Sequence, residues 1–206
     1  MGEPVSADLL ASRQLKTLFG VVDESLYRYA NSDIVVVGIG DWKAASAPLA
    51  RIHSACFAAH YLWSAECDCR EQLDIACNHM QQEGAGILVF LDQDGRGNGH
   101  AALMRAAVYA RRHGCNQAEA YASLGYPPDA RSFDGAGVVL RALGVTAVRL
   151  MTNNPKKIDA VRQAGIEVVS EPVVSPVTET PWLTGYYRLK AQEGHRVARP
   201  EEEPAG

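Results

Sequence analysis

The chain has 206 residues, 47% hydrophobic and 21% charged, with five cysteines and a formal net charge of −4. That apolar fraction rules out a disordered chain, the slight acidity argues against a general nucleic-acid binder, and no apolar run reaches the ~18–20 residues of a membrane span. The N-terminus lacks a basic stretch followed by an apolar one, so a cytoplasmic location is expected and five cysteines do not read as a disulfide scaffold.

In chain order, Leu9, Leu10, Leu15, Leu18 and Phe19 give the first twenty residues a loose apolar stripe, which predicts a marginal amphipathic helix. Asp33–Ile39 reads as a strand followed by a turn at Gly40-Asp41, and Pro48–Ile52 as a second strand. The spacing of Leu73, Ile75, Ala76 and Met80 predicts a helix over Glu71–Gln82, stopped by Gly84-Ala85-Gly86. Ile87–Leu91 is a continuous apolar run, as expected of a buried strand, and leads into a polar glycine-rich loop, residues 92–99. Ala101–His113 reads as a helix closed by Gly114. After that the chain alternates: helix over Gly135–Leu143, strand over Ala147–Met151, helix over Pro155–Ala164 with its proline near the first turn, strand over Ile166–Val169. The β–α–β rhythm predicts an α/β protein with a mixed sheet, antiparallel in its first third. Residues 1–191 read as one domain, and the charged, proline-bearing stretch 192–206 as a frayed, disordered tail.

Three cysteines cluster. Cys67-Asp68-Cys69 sets two thiols on one side of an extended or tightly turned segment, and Cys56 can return as a third ligand. Three thiolates suit Zn²⁺; His53 and His60 are candidate fourth ligands, and an open position would instead hold a water made acidic by the metal. The alternative is three unliganded core cysteines, the simple reading for Cys77 and Cys115. Thr152-Asn153-Asn154-Pro155-Lys156-Lys157 lies between a strand and a helix, where free backbone N–H groups and the lysines suit a phosphate, although Asn and Thr also cap helices. Asp94-Gly95-Arg96-Gly97 follows a strand in the same way. Asp129-Ala130-Arg131, behind Pro127-Pro128, reads alone as a surface ion pair.

Taken in order, these segments resemble the GTP cyclohydrolase II family. The resemblance rests on Arg51-Ile52-His53-Ser54-Ala55-Cys56, Cys67-Asp68-Cys69 with Gln72-Leu73, Gln93-Asp94-Gly95-Arg96-Gly97, Glu119-Ala120, Leu124-Gly125-Tyr126, Asp129-Ala130-Arg131, Leu143-Gly144-Val145 and the Thr152–Lys157 segment. A weaker echo follows at Lys190 and Gly194-His195. It implies a zinc enzyme of riboflavin biosynthesis that opens the imidazole ring of GTP, releases formate and diphosphate, and leaves a diaminopyrimidine ribosyl phosphate. By position, Cys56, Cys67 and Cys69 would hold one Zn²⁺ per chain. Arg131 would be the nucleophile toward the α-phosphate and Asp129 its proton acceptor. Arg51, Ile52, His53, Ser54, Gln72, Asp94, Gly95, Arg96, Thr152 and Lys157 would bind the nucleotide, with Mg²⁺ on the triphosphate. The family's catalytic tyrosine has Tyr109 as its nearest counterpart, in a helix one or two residues out of register. A homodimer is the family's expectation, with neither nucleic acid nor membrane as partner.

The same segments carry departures. Ala55 stands where the family has Glu, His60 where it has Asp, Glu66 where it has Arg and Arg70 where it has Gly. Asp94 is a shortened Glu, Gln117 replaces a Thr and Tyr121 an Asn. Two further readings follow: a specialised paralogue acting on another purine nucleotide or stopping at a different product, and a non-catalytic nucleotide-binding homologue.

Overall fold

Seven strands form one sheet in the order β1-β2-β3-β5-β4-β6-β7, and the order explains where the loops collect. The computed structural model describes residues 6–173 and 181–196, with side chains in the second stretch from Tyr186 onward. β1 (Asp8–Thr17), β2 (Gly20–Tyr29) and β3 (Ser32–Gly40) make an antiparallel meander, and β3 pairs antiparallel with β5 (Ala85–Leu91). From there the sheet is parallel through β4 (Leu49–Ser54), β6 (Ala147–Met151) and β7 (Glu167–Glu171). The mixed α/β sheet and its antiparallel first third are as the sequence predicts.

The first element is not. Residues 8–17 form an edge strand rather than a helix, and Leu18 and Phe19 sit in the hairpin turn to β2. Nearly every side chain of β1 is exposed, and its pairing slips at Leu9/Ala11. A strand that buries neither face has no reason to alternate, so the period-2 signal is missing and a chance helical spacing stands in its place.

Helices cover both faces. α5 (Asp134–Ala142) and α6 (Pro155–Gln163) pack with Ile34, Val36, Ala50, Ile52, Ile87, Val89, Leu91, Val148 and Leu150. On the opposite face α2 (Cys69–Glu83) brings Ala76, Cys77 and Met80 onto Val22, Ile39, Leu49 and Leu88. β5 contributes to both cores, which is why its sequence is apolar throughout. α3 (His100–His113) and α4 (Gln117–Ser123) form a satellite around Ala102, Ala106, Ala120 and Tyr121, against which Cys115 packs. The short α1 (Phe57–Leu62) and α7 (Pro181–Gln192) complete the set. Of the predicted tail, Gln192 is the last residue of α7 and residues 193–196 follow it directly, while 197–206 lie outside the described residues.

Because β5, β4 and β6 run parallel, the loops that follow them leave one edge of the sheet side by side. β4 connects onward to β5 on one side, while β6 lies on its other side, so the chain reverses its winding between β4 and β6. Ligands of open α/β sheets sit in the crevice at such a point.

Candidate active site

β4 and β6 pair only at Leu49 and Ala50, then part. Two cations cross the parting. Arg51 donates through Nη1 to the Met151 carbonyl at 3.0 Å, and Lys157, on α6, donates through Nζ to the Ile52 carbonyl at 2.9 Å. Arg51 shares its face of β4 with Leu49, so its guanidinium also reaches α2, where Nη2 donates to Gln72 Oε1 at 2.7 Å. Both cations are buried. Burial, followed by repulsion from Arg51, Arg131 and Lys190, holds the Lys157 amine well below its ordinary pKa. An anion arriving among these groups would relieve that repulsion directly.

The run Arg51-Ile52-His53-Ser54 also holds polar atoms left unpaired by the protein. Arg51 Nε, His53 Nδ1 and Ser54 Oγ are buried with no protein hydrogen-bond partner among the described residues. Buried polar atoms in a folded protein are nearly always paired, so these three are free to meet a water or a ligand. The His53 tautomer follows from its neighbours. His60 Nδ1 accepts the Cys56 N–H at 3.3 Å, so a neutral His60 carries its proton on Nε2 and gives it to His53 Nε2, 3.0 Å away. His53 then holds its own proton on the orphaned Nδ1. Burial first, then Arg51 and Lys157, keeps its pKa well below 6.5, so the ring is neutral.

Cys56 follows β4, Cys67 precedes α2 and Cys69 opens it, and their three sulfurs lie within 4.8 Å of one another. Cys56 and Cys67 are 3.8 Å apart. The neighbouring Cys56 and Cys67 thiols hold the Cys69 pKa well below the ordinary thiol value despite burial. Three sulfurs gathered this closely are a soft-metal donor set, and the set fits Zn²⁺. His53 and His60 face each other and are not part of the sulfur cluster.

Asp68, between two of these cysteines, is almost fully buried and accepts from Gln72 Nε2 at 2.5 Å, Tyr187 Oη at 3.1 Å and Lys190 Nζ at 3.0 Å. It therefore ties the sulfur loop to α7 and, through Gln72, to Arg51. The sequence had singled out its neighbours and not Asp68; a carboxylate between two metal-type cysteines is the signal that could have found it.

The loop after β5 turns through two left-handed residues, Gly95 (φ 59°) and Arg96 (φ 58°). Tyr121, fully buried, steadies it by donating to the Gly95 carbonyl at 2.8 Å. Gly97 allows the close approach of the next segment: a Cβ there would lie 2.8 Å from the carbonyl carbon of Ala130. Ala130 N–H donates to the Arg96 carbonyl at 2.9 Å. This contact sets Asp129 and Arg131 beside the loop. Their pair is bidentate, Nε to Oδ1 at 2.9 Å and Nη2 to Oδ2 at 2.7 Å, with both side chains largely buried rather than on the open surface. Burial opposes the Arg131 charge, and the Asp129 carboxylate outweighs it, lifting the guanidinium pKa above its ordinary value. The Phe133 ring lies beneath both Arg131 and Lys157, at 5.5 and 5.2 Å.

Asp94 is fully engaged. Oδ1 accepts the Gly95 N–H at 2.9 Å and the Phe57 N–H at 3.3 Å, and Oδ2 meets His100 Nδ1 at 2.8 Å. Thr152 Oγ1 accepts the Asn154 N–H and Asn154 caps α6 through Lys156 N–H, so the capping reading of that loop holds alongside Lys157. Tyr109 stands apart. Its ring packs on the α3–α4 satellite, stacks on His113 at 4.1 Å and lines a groove with Met104, Val108 and Leu124. α7 adds residues the sequence reading had left out: Tyr186 Oη lies 3.9 Å from Cys69 Sγ, and Glu193, just past the helix, pairs with Arg96.

A family model for GTP cyclohydrolase II matches residues 9–172. The GTP cyclohydrolase-2 of Neisseria gonorrhoeae is 38% identical over 93% of this chain and 97% of its own length. That of Xylella fastidiosa is 42% identical over 73% of this chain, and the riboflavin biosynthesis protein RibBA of Aquifex aeolicus is 38% identical over 90%. The chain spans 38% and 46% of those two proteins, less than half of each. A solved two-domain 3,4-dihydroxy-2-butanone 4-phosphate synthase, RibBX of A. baumannii, aligns at a TM-score of 0.44 and 16% identity over 82% of this chain and 42% of that one. The family match runs from the edge strand through the sulfur loop, the Arg96 turn and the Asp129–Arg131 pair to β7, and by it the chain belongs to the GTP cyclohydrolase II family.

Proposed function

We propose that the chain is a zinc-dependent cyclohydrolase that opens the imidazole ring of GTP, releases formate and diphosphate, and serves riboflavin biosynthesis. The observation that carries this reading is a three-thiol cluster at the same sheet edge as four buried or largely buried cations, Arg51, Arg96, Arg131 and Lys157. A soft-metal site next to a polyphosphate-sized cationic surface is what hydrolysis of a nucleotide's base requires. Cys56, Cys67 and Cys69 would hold Zn²⁺, which when bound supplies Lewis-acid activation of water for attack on the ring.

The chain's own groups do the rest. Arg51, Arg96 and Lys157 pair with phosphate oxygens, and the neutral His53 offers its Nδ1 proton together with the Ser54 hydroxyl to the ligand. Asp129 accepts from Nε and Nη2, one edge of Arg131, so it is placed to take a proton from the guanidinium as an Arg131 nitrogen bonds the α-phosphorus and the bond to the β-phosphate oxygen breaks, with diphosphate leaving. The reading takes residues 1–191 as one domain of a cytoplasmic homodimer, with Mg²⁺ on the triphosphate.

A second reading, a specialised paralogue, is favoured by one observation: both oxygens of Asp94 are already engaged, by His100 and two backbone N–H groups. If that carboxylate reads the purine edge, the pairing with His100 changes which base fits. The test is a panel of purine nucleoside triphosphates assayed separately for formate and for diphosphate. GTP turnover with both products, and loss of diphosphate in Arg131→Ala, is the expected result. Turnover of another nucleotide with GTP inert would replace the first reading by the second. Binding without any turnover would replace both by a non-catalytic homologue.

A further inference from the structure

The segment from Tyr186 to Arg196 lies over the site and touches it at separated points. Tyr187 and Lys190 bond Asp68, Tyr186 reaches Cys69, and the Arg196 N–H donates to the Asn153 carbonyl at 3.1 Å. The His195 N–H donates to the Lys190 carbonyl at 3.0 Å. Within this cover one carboxylate meets a site cation. Glu193, 97 residues away in the chain, is ion-paired with Arg96, their side chains 26% and 9% exposed. The other cations differ: Arg51 and Lys157 rest on neutral carbonyl and amide oxygens, and Arg131 is paired by Asp129 of its own loop.

We propose that Glu193 is an affinity-setting residue that competes internally with the substrate's phosphate for Arg96. A guanidinium edge binds a carboxylate or a phosphate through the same parallel N–H groups, and the two anions repel each other. Arg96 therefore exchanges one partner for the other. Because Glu193 belongs to the segment that covers the site, the exchange couples nucleotide entry to lifting of residues 186–196. With no ligand, the carboxylate compensates part of a cation cluster that would otherwise repel itself; with ligand, the triphosphate takes over that task. The inference rests on the reading that this crevice binds a polyphosphate.

The experiment measures inorganic tripolyphosphate binding to the full-length, zinc-loaded protein by calorimetry, comparing wild type with Glu193→Gln and Glu193→Ala. Both variants are checked for native circular dichroism, and the pair guards against one of them misfolding. Tripolyphosphate should bind the variants about threefold tighter or more, the order expected on removing a partly buried competing ion pair. It should also speed tryptic cleavage after Arg188 and Lys190 in the wild type, and the variants should be cleaved at that faster rate without ligand. Equal or weaker binding by both variants overturns the proposal and makes Glu193 a positioning residue for Arg96. GTP turnover is assayed on the same samples. Tighter tripolyphosphate binding without turnover keeps the competitor and removes the cyclohydrolase reading, and turnover without tightening does the reverse.

Discussion

Gly97→Ala separates two things a glycine can provide, freedom of backbone angle and room for a neighbour. Gly97 has φ +82°, and an added Cβ would meet the Ala130 carbonyl carbon at 2.8 Å and its oxygen and the Arg131 nitrogen at 3.0 Å. All three are backbone atoms, so nothing can rotate aside. The conformational penalty of a positive φ is about 1 kcal/mol and forced overpacking adds roughly 1–3 kcal/mol, giving about 2–4 kcal/mol in total. Gly144 supplies the control: the same φ of +82° with nothing within 4 Å, so Gly144→Ala carries only the first penalty. Urea denaturation of the two variants should therefore differ by roughly 1–3 kcal/mol. The functional contrast should be larger. Moving residues 130–131 displaces the Asp129–Arg131 pair from Arg96, and a misplacement of about 1 Å costs on the order of 100-fold in turnover. Gly144→Ala should stay within a few-fold of wild type. Equal stability and equal diphosphate release in the two variants would refute the claim that close approach at Gly97 builds the site.

Elemental analysis should find about one zinc per chain, with Cys67→Ser losing it while Cys77→Ala does not; retention of metal by the first would remove the sulfur site. Tyr121→Phe leaves the Gly95 carbonyl without its donor, so unfolding stability should fall by about 1–3 kcal/mol and nucleotide affinity with it; an unchanged urea midpoint would show that the loop holds without the phenol. Burial and the surrounding Lys190, Arg131, Lys157 and Arg96 depress the His195 pKa from 6.5 to about 4. Above 6.5 the ring is neutral whether the segment is seated or detached. Between 6.5 and 4 only the detached form takes up a proton, so seating weakens as pH falls through that window. Amide hydrogen exchange over 186–196, corrected for intrinsic rates, should rise toward acid; a flat profile would contradict the placement of His195.

Much of this architecture is legible where one face of an element is buried and the other is not. α5, β6 and α6 fall close to their predicted bounds because their apolar spacing is imposed by the core they share, and Asn154-Pro155 announces the start of α6 chemically. β1 defeated the same reasoning because it buries almost nothing. The site was readable to the extent that its residues carry unmistakable chemistry: three cysteines, and arginines and lysines at strand ends. Residues whose role is to hold those groups were not. Asp68, Tyr121 and Glu193 act through partners that are 122, 26 and 97 residues away, and no local pattern encodes such distances. Tyr121 shows the limit best. It reads as a lost asparagine in the resemblance, yet it is the hydroxyl that holds the Gly95 turn.

The three sulfurs lie within a stretch of fourteen residues, 56 to 69, while the bonds that seat the phosphate cations span 100 and 105 residues and the contacts that cover them come from the far end of the chain. Closing the short loop is an early, inexpensive event in a growing or collapsing chain; joining Ile52 to Lys157 must wait for β6 and α6 to exist. On the proposed reading, metal capture and nucleotide capture are thus separated in time. A chain still emerging from the ribosome has the three thiols of its sulfur cluster long before it has the proposed polyphosphate site, so exposure of those thiols to metal ions or oxidants precedes assembly of the cation set.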